Sequence, residues 1–372
     1  MRFAIITHVV HGSEQDAYFA YAPYVREMNI WLKYVDEVIV VAPLSSKAKT
    51  AIETTYLHPK LHLETVPAMQ LKTVISILRS IYQVPLTFLK IIKVMKSADH
   101  IHLRCPGNIG LLGCIAQIFF PKKLKTAKYA GNWDPKSKQP LTYRLQRYIL
   151  NNTFLTKNMR VLVYGEWPRM SANIKPFFTA TYAEADKMPI PIKAASVRKN
   201  FLFVGSLSSG KRPMYATEVV RSLHDSNYDV SLDIYGDGAE YQILNRYIFE
   251  HKLSNIITLH GNQDEMIVRE AYKSSHYLIL PSKSEGWPKA VAEAMFWGCV
   301  PVASQVSCVP YMLDSGKRGV LLEMDMKKDV DQIKSILDNY PVFEQMSADA
   351  IRWSREYTLD KFETEITKLL AQ

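Results

Sequence analysis

The chain has 372 residues, 48% of them hydrophobic and 22% charged, with a net charge of +10. That balance is ordinary for globular proteins and excludes a disordered, collagen-like or coiled-coil chain, while the length suits two Rossmann-sized domains. The charge is uneven: residues 1–190 hold 25 Lys+Arg against 12 Asp+Glu, a net of +13, and residues 191–372 hold 21 against 24, a net of −3.

In chain order, short β-branched apolar runs alternate with amphipathic stretches, the pattern of parallel α/β architecture. Strands are predicted at 3–9, 37–41, 100–103, 125–129 and 161–164, with helices over 20–35 and 71–95, the latter broken near Pro85. The apolar run at 3–9 reads as a first buried strand rather than a signal peptide, and no stretch reaches the roughly 20 apolar residues that cross a bilayer. Periodicity is lost over 185–199, which carries two prolines, and the interdomain linker is expected there. A second series follows: strands at 200–204, 230–235, 256–260, 277–280, 300–303 and 319–322, and helices over 214–224, 240–251, 264–274 and 288–297. The amphipathic segment 347–370 comes last, and its pattern leaves open whether it packs on the second domain or returns to the first. The expected division is 1–190, 191–355 and a C-terminal helix over 356–372. Cys105 and Cys114, like Cys299 and Cys308, lie nine residues apart, a spacing of neither zinc sites nor disulfide frameworks, so reduced thiols in a cytoplasmic protein are expected.

The segment from Leu280 to Gly298, LPSKSEGWPKAVAEAMFWG, reads as strand, loop and helix. Pro288 suits the first helical turn and Gly298 the residue past the end, so a helix N-terminus with unpaired N–H groups opens above a strand end, a ready phosphate site. Glu285 in the loop and Glu293 two turns on are carboxylates able to accept hydroxyl donors from one ligand. This stretch closely resembles the donor-site motif of glycosyltransferase family 4, with Glu, Gly, an aromatic, Pro, a second Glu eight residues after the first, then Ala-Met and a Gly. In register with it, Gly205-Ser206-Leu207-Ser208-Ser209-Gly210-Lys211-Arg212 resembles the family's phosphate loop, and Gly236 and Asn262 fall in its next two strand-end motifs. The family usually has Arg where Ser206 stands, so one cation fewer reaches the diphosphate unless Arg212 turns inward. In the first half, His102 and Arg104 align with the family's alternating histidines, Asp134 falls near its acceptor-side His, and its glycine-rich N-terminal loop is reduced to Gly12.

The resemblance implies a GT-B fold, two Rossmann-like doubly wound domains facing a central cleft, and a retaining transferase that uses a nucleotide-diphosphate sugar. It implies that Glu285 contacts donor-sugar hydroxyls, that Glu293 contacts the ribose, and that Lys211 with the backbone of Gly286, Trp287, Pro288 and Lys289 holds the diphosphate. Gly205, Ser206, Arg212, Gly236 and Asn262 complete the donor side, and Gly12, His102, Arg104 and Asp134 the acceptor side. No cofactor or metal is expected, because a lysine and a helix N-terminus can stabilise the departing diphosphate. The implied partners are a nucleotide sugar and a glycan or lipid-linked acceptor of cell-envelope polysaccharide or lipopolysaccharide. The acid-free basic stretch 65–98 and the cluster Lys122, Lys123, Lys125 and Lys128 predict contact with an anionic membrane, on the inner face of the cytoplasmic membrane. Nucleic acid is not expected, since no finger, helix-turn-helix or aromatic-basic RNA motif accompanies the charge. The alternatives are a non-catalytic nucleotide-sugar-binding partner subunit and a GT-B sugar-nucleotide epimerase, the latter without its His-rich pattern here.

Overall fold

A computed structural model describes every residue except 16, 51, 70–73, 191–192, 194–197 and 372, and the side chains of 74–81. The chain forms two units, Met1–Phe178 with Phe362–Gln372, and Thr179–Lys361.

The first unit opens with β1 (Arg2–Ile6), the hairpin β2 (His11–Glu14) and β3 (Ala17–Tyr21), then α1 (Ala22–Leu32), β4 (Glu37–Ala42), β5 (Glu53–Thr55) and β6 (Leu61–Thr65). It continues with α2 (Val74–Ser97), β7 (His100–Cys105), α3 (Asn108–Ala116), β8 (Leu124–Tyr129), α4 (Leu141–Leu150), β9 (Met159–Tyr164) and β10 (Ile174–Phe177). Seven strands make one sheet in the order β10-β9-β8-β7-β1-β4-β6, and β2-β3-β5 make a small separate one. Every pair in the large sheet is parallel. Strand alternation sends Ile101, Leu103 and Cys105 into the apolar core shared with Ile91, Met95, Ile109 and Ile149 from α2, α3 and α4. The intervening His100, His102 and Arg104 therefore take the other face, where Trp31 of α1 and Phe3 lie against His102.

The second unit runs β11 (Lys199–Val204), α5 (Pro213–Asp225), β12 (Val230–Tyr235), α6 (Tyr241–Glu250), β13 (Ile257–Gly261), α7 (Glu265–Ser274), β14 (Tyr277–Leu280) and α8 (Lys289–Phe296). After these come β15 (Val300–Ser304), α9 (Val309–Met312), β16 (Val320–Leu322), α10 (Met326–Leu337) and α11 (Tyr340–Ser354). Its sheet has six parallel strands in the order β13-β12-β11-β14-β15-β16. Order reverses between β11 and β14, the crevice position where open α/β sheets take ligands.

Three features differ from the sequence expectations, and one that the sequence leaves open is settled. The units divide at Phe178/Thr179 rather than 190/191. Residues 179–190 belong to the second unit because Tyr182 packs on Phe296 and Trp297 and Asp186 pairs with Arg269 at 3.1 Å. Of the expected linker 185–199, residues 191–192 and 194–197 lie outside the described residues. Helix α2 runs unbroken through Pro85, which lies on its exposed side. The segment 347–370 is not one helix: α11 ends at Ser354, and α12 (Leu359–Leu370) starts where Thr358 Oγ1 accepts from Lys361 N–H at 3.3 Å. Its Phe362 ring lies against Phe177 and Phe178, and Glu365 pairs with Lys175 at 2.5 Å, so the end of the chain packs in the first unit.

Candidate active site

Three strand ends of the second unit are sewn together by backbone hydrogen bonds. Gly205 N–H donates to the Tyr235 carbonyl at 3.0 Å, Gly236 N–H to the Gly261 carbonyl at 2.8 Å, and Leu207 N–H to the Asp237 carbonyl at 2.9 Å. A Cβ on Gly236 would collide with the Gly205 carbonyl, and its φ of +142° also disfavours a side chain. Gly205 faces open space, with nothing nearer than Phe203 at 4.0 Å from a built Cβ. A floor of bare backbone thus lies where a phosphate chain can come close. Ser206 and Asn262 are exposed on its rim. The loop ends at Arg212, whose left-handed backbone (φ 52°, ψ 50°) costs about 1 kcal/mol for a non-glycine residue and turns the chain into α5.

Lys211, near the end of the loop that begins with Gly205, meets Glu285. Lys211 Nζ lies 2.5 Å from Glu285 Oε1, with the Glu285 side chain 8% exposed and that of Lys211 29% exposed. Lys283 N–H donates to the Gly210 carbonyl at 2.8 Å, tying the acidic loop to the phosphate loop. From the far side, Ser307 Oγ and Cys308 Sγ donate to the Gly286 carbonyl at 3.2 and 3.0 Å, and burial pushes the Cys308 thiol up to about 12. Trp287 is buried and stacked on Trp353 at 6.1 Å, anchoring the loop. Helix α8 begins at Lys289, with Pro288 as its cap rather than its first residue, so its unpaired N–H groups and positive dipole end open beside the loop. A cation, a helix N-terminus and a carboxylate are therefore fixed on neighbouring loops: the first two suit a diphosphate, the third hydroxyl groups.

Glu293 has partners of its own. Thr181 Oγ1 donates to its Oε1 at 2.7 Å and the buried Tyr272 hydroxyl to its Oε2 at 3.1 Å. Burial, with Glu293 beside it, holds the Tyr272 phenol well above its usual range. Neither Thr181 nor Tyr272 was visible in the motif, because they come from segments 112 and 21 residues away.

The candidates of the first unit have different surroundings from those expected. His102 is fully buried between Phe3 and Trp31, bonded through Nδ1 to Thr126 Oγ1 at 2.9 Å, and burial lowers it to about 3. It is a core histidine, because the alternation that would aim a histidine at a ligand aims this one at α1. Arg104 is 13% exposed and pairs with Glu27 at 3.0 Å, with Lys128 Nζ 3.6 Å from the same oxygen. Gly12 is no loop glycine: it lies in β2, where a Cβ would strike the Phe19 ring. Asp134 accepts Lys136 N–H at 2.8 Å, as turn acids do. His8, just past β1 and not singled out in the sequence, is lowered by desolvation and by the Arg104 charge. The basic cluster also splits. Lys125 and Lys128 are buried, Lys125 donating to the Phe120 carbonyl at 2.8 Å and Lys128 to the Phe178 carbonyl at 2.8 Å within a cage of Tyr164, Phe177 and Phe362. All four cysteines are free and buried. No described helix is long and apolar enough to cross a membrane, and no cluster of three potential metal ligands occurs among the described residues.

Residues 187–353 match the family model Glycosyl transferases group 1. An uncharacterized glycosyltransferase of Methanocaldococcus jannaschii is 22% identical over 161 residues, 43% of this chain and 44% of the relative. One of Haemophilus influenzae is 28% identical over 165 residues, 44% of this chain and 46% of the relative. The chain thus spans less than half the length of the curated relatives it matches. Among solved structures, Anabaena Alr3699/HepE in complex with UDP and glucose aligns over 100% of this chain and 99% of its own, with a TM-score of 0.69 at 13% identity. WaaG, a glycosyltransferase involved in lipopolysaccharide biosynthesis, aligns over 98% of each chain with a TM-score of 0.64 at 12% identity. The fold is GT-B, and the segment bearing Gly205, Lys211, Glu285 and Glu293 lies within the match to glycosyl transferases group 1.

Proposed function

We propose that the protein is a retaining glycosyltransferase of family 4 that moves a sugar from a nucleotide-diphosphate sugar to a glycan or lipid-linked acceptor of cell-envelope polysaccharide or lipopolysaccharide. The observation that carries this reading is the Lys211–Glu285 pair, 2.5 Å apart, joining the loop after β11 to the loop that leads into α8. In the ligand complex Lys211 turns its ammonium to the diphosphate, and Glu285, released from it, accepts hydroxyls of the donor sugar. Negative charge grows on the diphosphate as the glycosidic bond breaks. Fixed donors that meet that charge lower the barrier without needing a metal ion. Glu293, held by Thr181 and Tyr272, is oriented to accept from the ribose. Acceptor attack occurs on the face the leaving group vacates, which retains configuration.

The acceptor is assigned to the first unit, and that unit to an anionic membrane surface. Exposed Tyr82, Leu86 and Leu89 share one side of α2 with exposed Lys93 and Lys96, an apolar and cationic stripe suited to lipid. Within the acid-free stretch, Lys72 lies outside the described residues, as does the side chain of Arg79.

The test is calorimetric titration with UDP and GDP in EDTA. Wild type is expected to bind one of them, and Lys211→Ala to bind it at least tenfold more weakly. Equal affinity of the two proteins, or binding that appears only after Mg²⁺ is added, would contradict the metal-free diphosphate site.

A further inference from the structure

The first unit carries a second concentration of cations that the donor chemistry does not use. Residues 135–165 contain six Lys+Arg and no Asp or Glu. The structure gathers part of that charge, joined by Arg169 from the turn after β9, around a groove of about 400 Å³ at the end of the sheet between α4 and the loop following β8. Arg144, Arg147 and Arg169 line it together with Trp133 and Tyr148, and no carboxylate does. Among the described residues none of the three arginines is in an ion pair. Arg147 is the fixed member: Nη1 donates to the Asp134 carbonyl at 2.9 Å and the guanidinium lies 5.7 Å from the centre of the Trp133 ring. A carbonyl and an aromatic face orient the fork without neutralising it. Arg169 is held in a left-handed backbone conformation (φ 61°), an uncommon geometry for a non-glycine residue, in the turn that brings it to the groove.

Uncompensated guanidinium groups converging on one concavity select a planar or tetrahedral oxyanion, since each presents a fork of donors matched to two oxygens. The exposed Tyr148 ring beside them suits the C–H face of a sugar ring, while the buried Trp133 backs Arg147. The volume is that of a site for a small ligand such as a mono- or disaccharide. We propose that this groove binds a phosphoryl-bearing saccharide, the anionic portion of the acceptor. It deepens the acceptor half of the function proposed above and rests on it only in calling that ligand an acceptor.

The test is binding to the full chain without turnover. Glucose 6-phosphate, glucose, inorganic phosphate and phosphatidylglycerol vesicles are titrated into wild type, the double variant Arg144→Gln/Arg169→Gln, and Arg147→Lys. Both arginines of the double variant are exposed, so its fold is preserved, and Arg147→Lys keeps the charge while removing the fork. Glucose 6-phosphate is expected to bind at least tenfold more tightly than glucose or phosphate, and to lose at least tenfold in each variant. Equal binding by wild type and variants, phosphate binding as tight as the sugar phosphate, no binding of the sugar phosphate, or arginine-dependent binding of the vesicles alone would each overturn the proposal. The nucleoside diphosphates titrated into the same samples report the donor site separately. Their failure to bind wild type would count against the transferase reading, while failure of glucose 6-phosphate to bind a wild type that binds a nucleoside diphosphate would count against the groove.

Discussion

The two units are built on the same plan but place differently the candidates singled out in their sequences. In the second unit the fully buried β14 is apolar throughout, and the charged groups of the candidate site stand on the loops just beyond the strands, Lys211 after β11 and Glu285 after β14. Asp233 of β12 and His260 of β13 pair at 2.6 Å on a part-exposed face of the sheet. In the first unit the polar groups lie within the strands. His100 and His102 share Thr126 Oγ1 at 2.9 Å each, and Arg104 and Lys128 share Glu27, all between the sheet and the elements covering one of its faces. A polar group on a loop can exchange a protein partner for a ligand. One within a strand is desolvated and committed to the partners that keep it from being an orphan. A buried ion network of this kind is weak evidence for stability but expensive to break from one side. The same alternating α/β topology therefore yields a candidate site on the loops of one unit and a buried polar network within the strands of the other.

Substituting the floor of the second unit gives the largest effect that separates these roles. Gly236→Val forces a side chain into the Gly205 carbonyl, and nucleoside diphosphate binding by calorimetry is expected to fall at least a hundredfold, while hydrogen exchange in the first unit's strands stays unchanged. Retained affinity would mean that the close approach of the two loops is unimportant to the site.

Acid should expose the first unit before the second. Burial lowers His11 and His100 to about 4 and His102 to about 3, against 6.5 for the free side chain. Below pH 6.5 the unfolded chain takes up protons that these folded histidines refuse, so stability falls with falling pH until the folded values are reached. Each histidine removes up to about 1.4 kcal/mol per pH unit in that window. Hydrogen exchange at pH 7 and pH 5 should show strands β1 and β7 losing protection at the lower pH, and His102→Gln should flatten that pH dependence. Uniform loss across both units would break the contrast.

The smallest expected effect is at the membrane. Leu86→Gln with Leu89→Gln and Lys93→Gln on α2 should reduce sedimentation with anionic vesicles several-fold at low salt, with nucleotide affinity unchanged. Sedimentation without preference for anionic over zwitterionic lipid would return the basic surplus to ordinary surface charge.

What could be read in the sequence followed how local each feature is. The donor motif is compact: strand, loop, Pro288, helix and Gly298 lie within one stretch, so its geometry was legible, down to the helix start misplaced by one residue. Thr181 and Tyr272 were not, because only tertiary packing brings them to Glu293. His102 misled for a different reason. Alternation shows that His100, His102 and Arg104 share a face but not whether that face meets solvent or a helix bearing Trp31. Lys125 and Lys128 misled likewise, since burial of a lysine depends on carbonyls and rings contributed from elsewhere in the chain. The hairpin of β2 and β3 went unseen because its strands are short and neither alternates: β2 is polar (HGSE) and β3 apolar and aromatic throughout (AYFAY).

On the proposed reading, Glu285 acts on the donor sugar while Lys211 and the loop backbone hold the diphosphate. That assignment is tested most directly by measuring nucleoside diphosphate release and binding in the same preparation of Glu285→Gln, with the nucleotide sugar that most raises the melting temperature of wild type. Release is expected to fall a hundredfold to a thousandfold, the range for removal of a single group that stabilises a transition state, with diphosphate affinity within a few-fold of wild type. Release at the wild-type rate would contradict it.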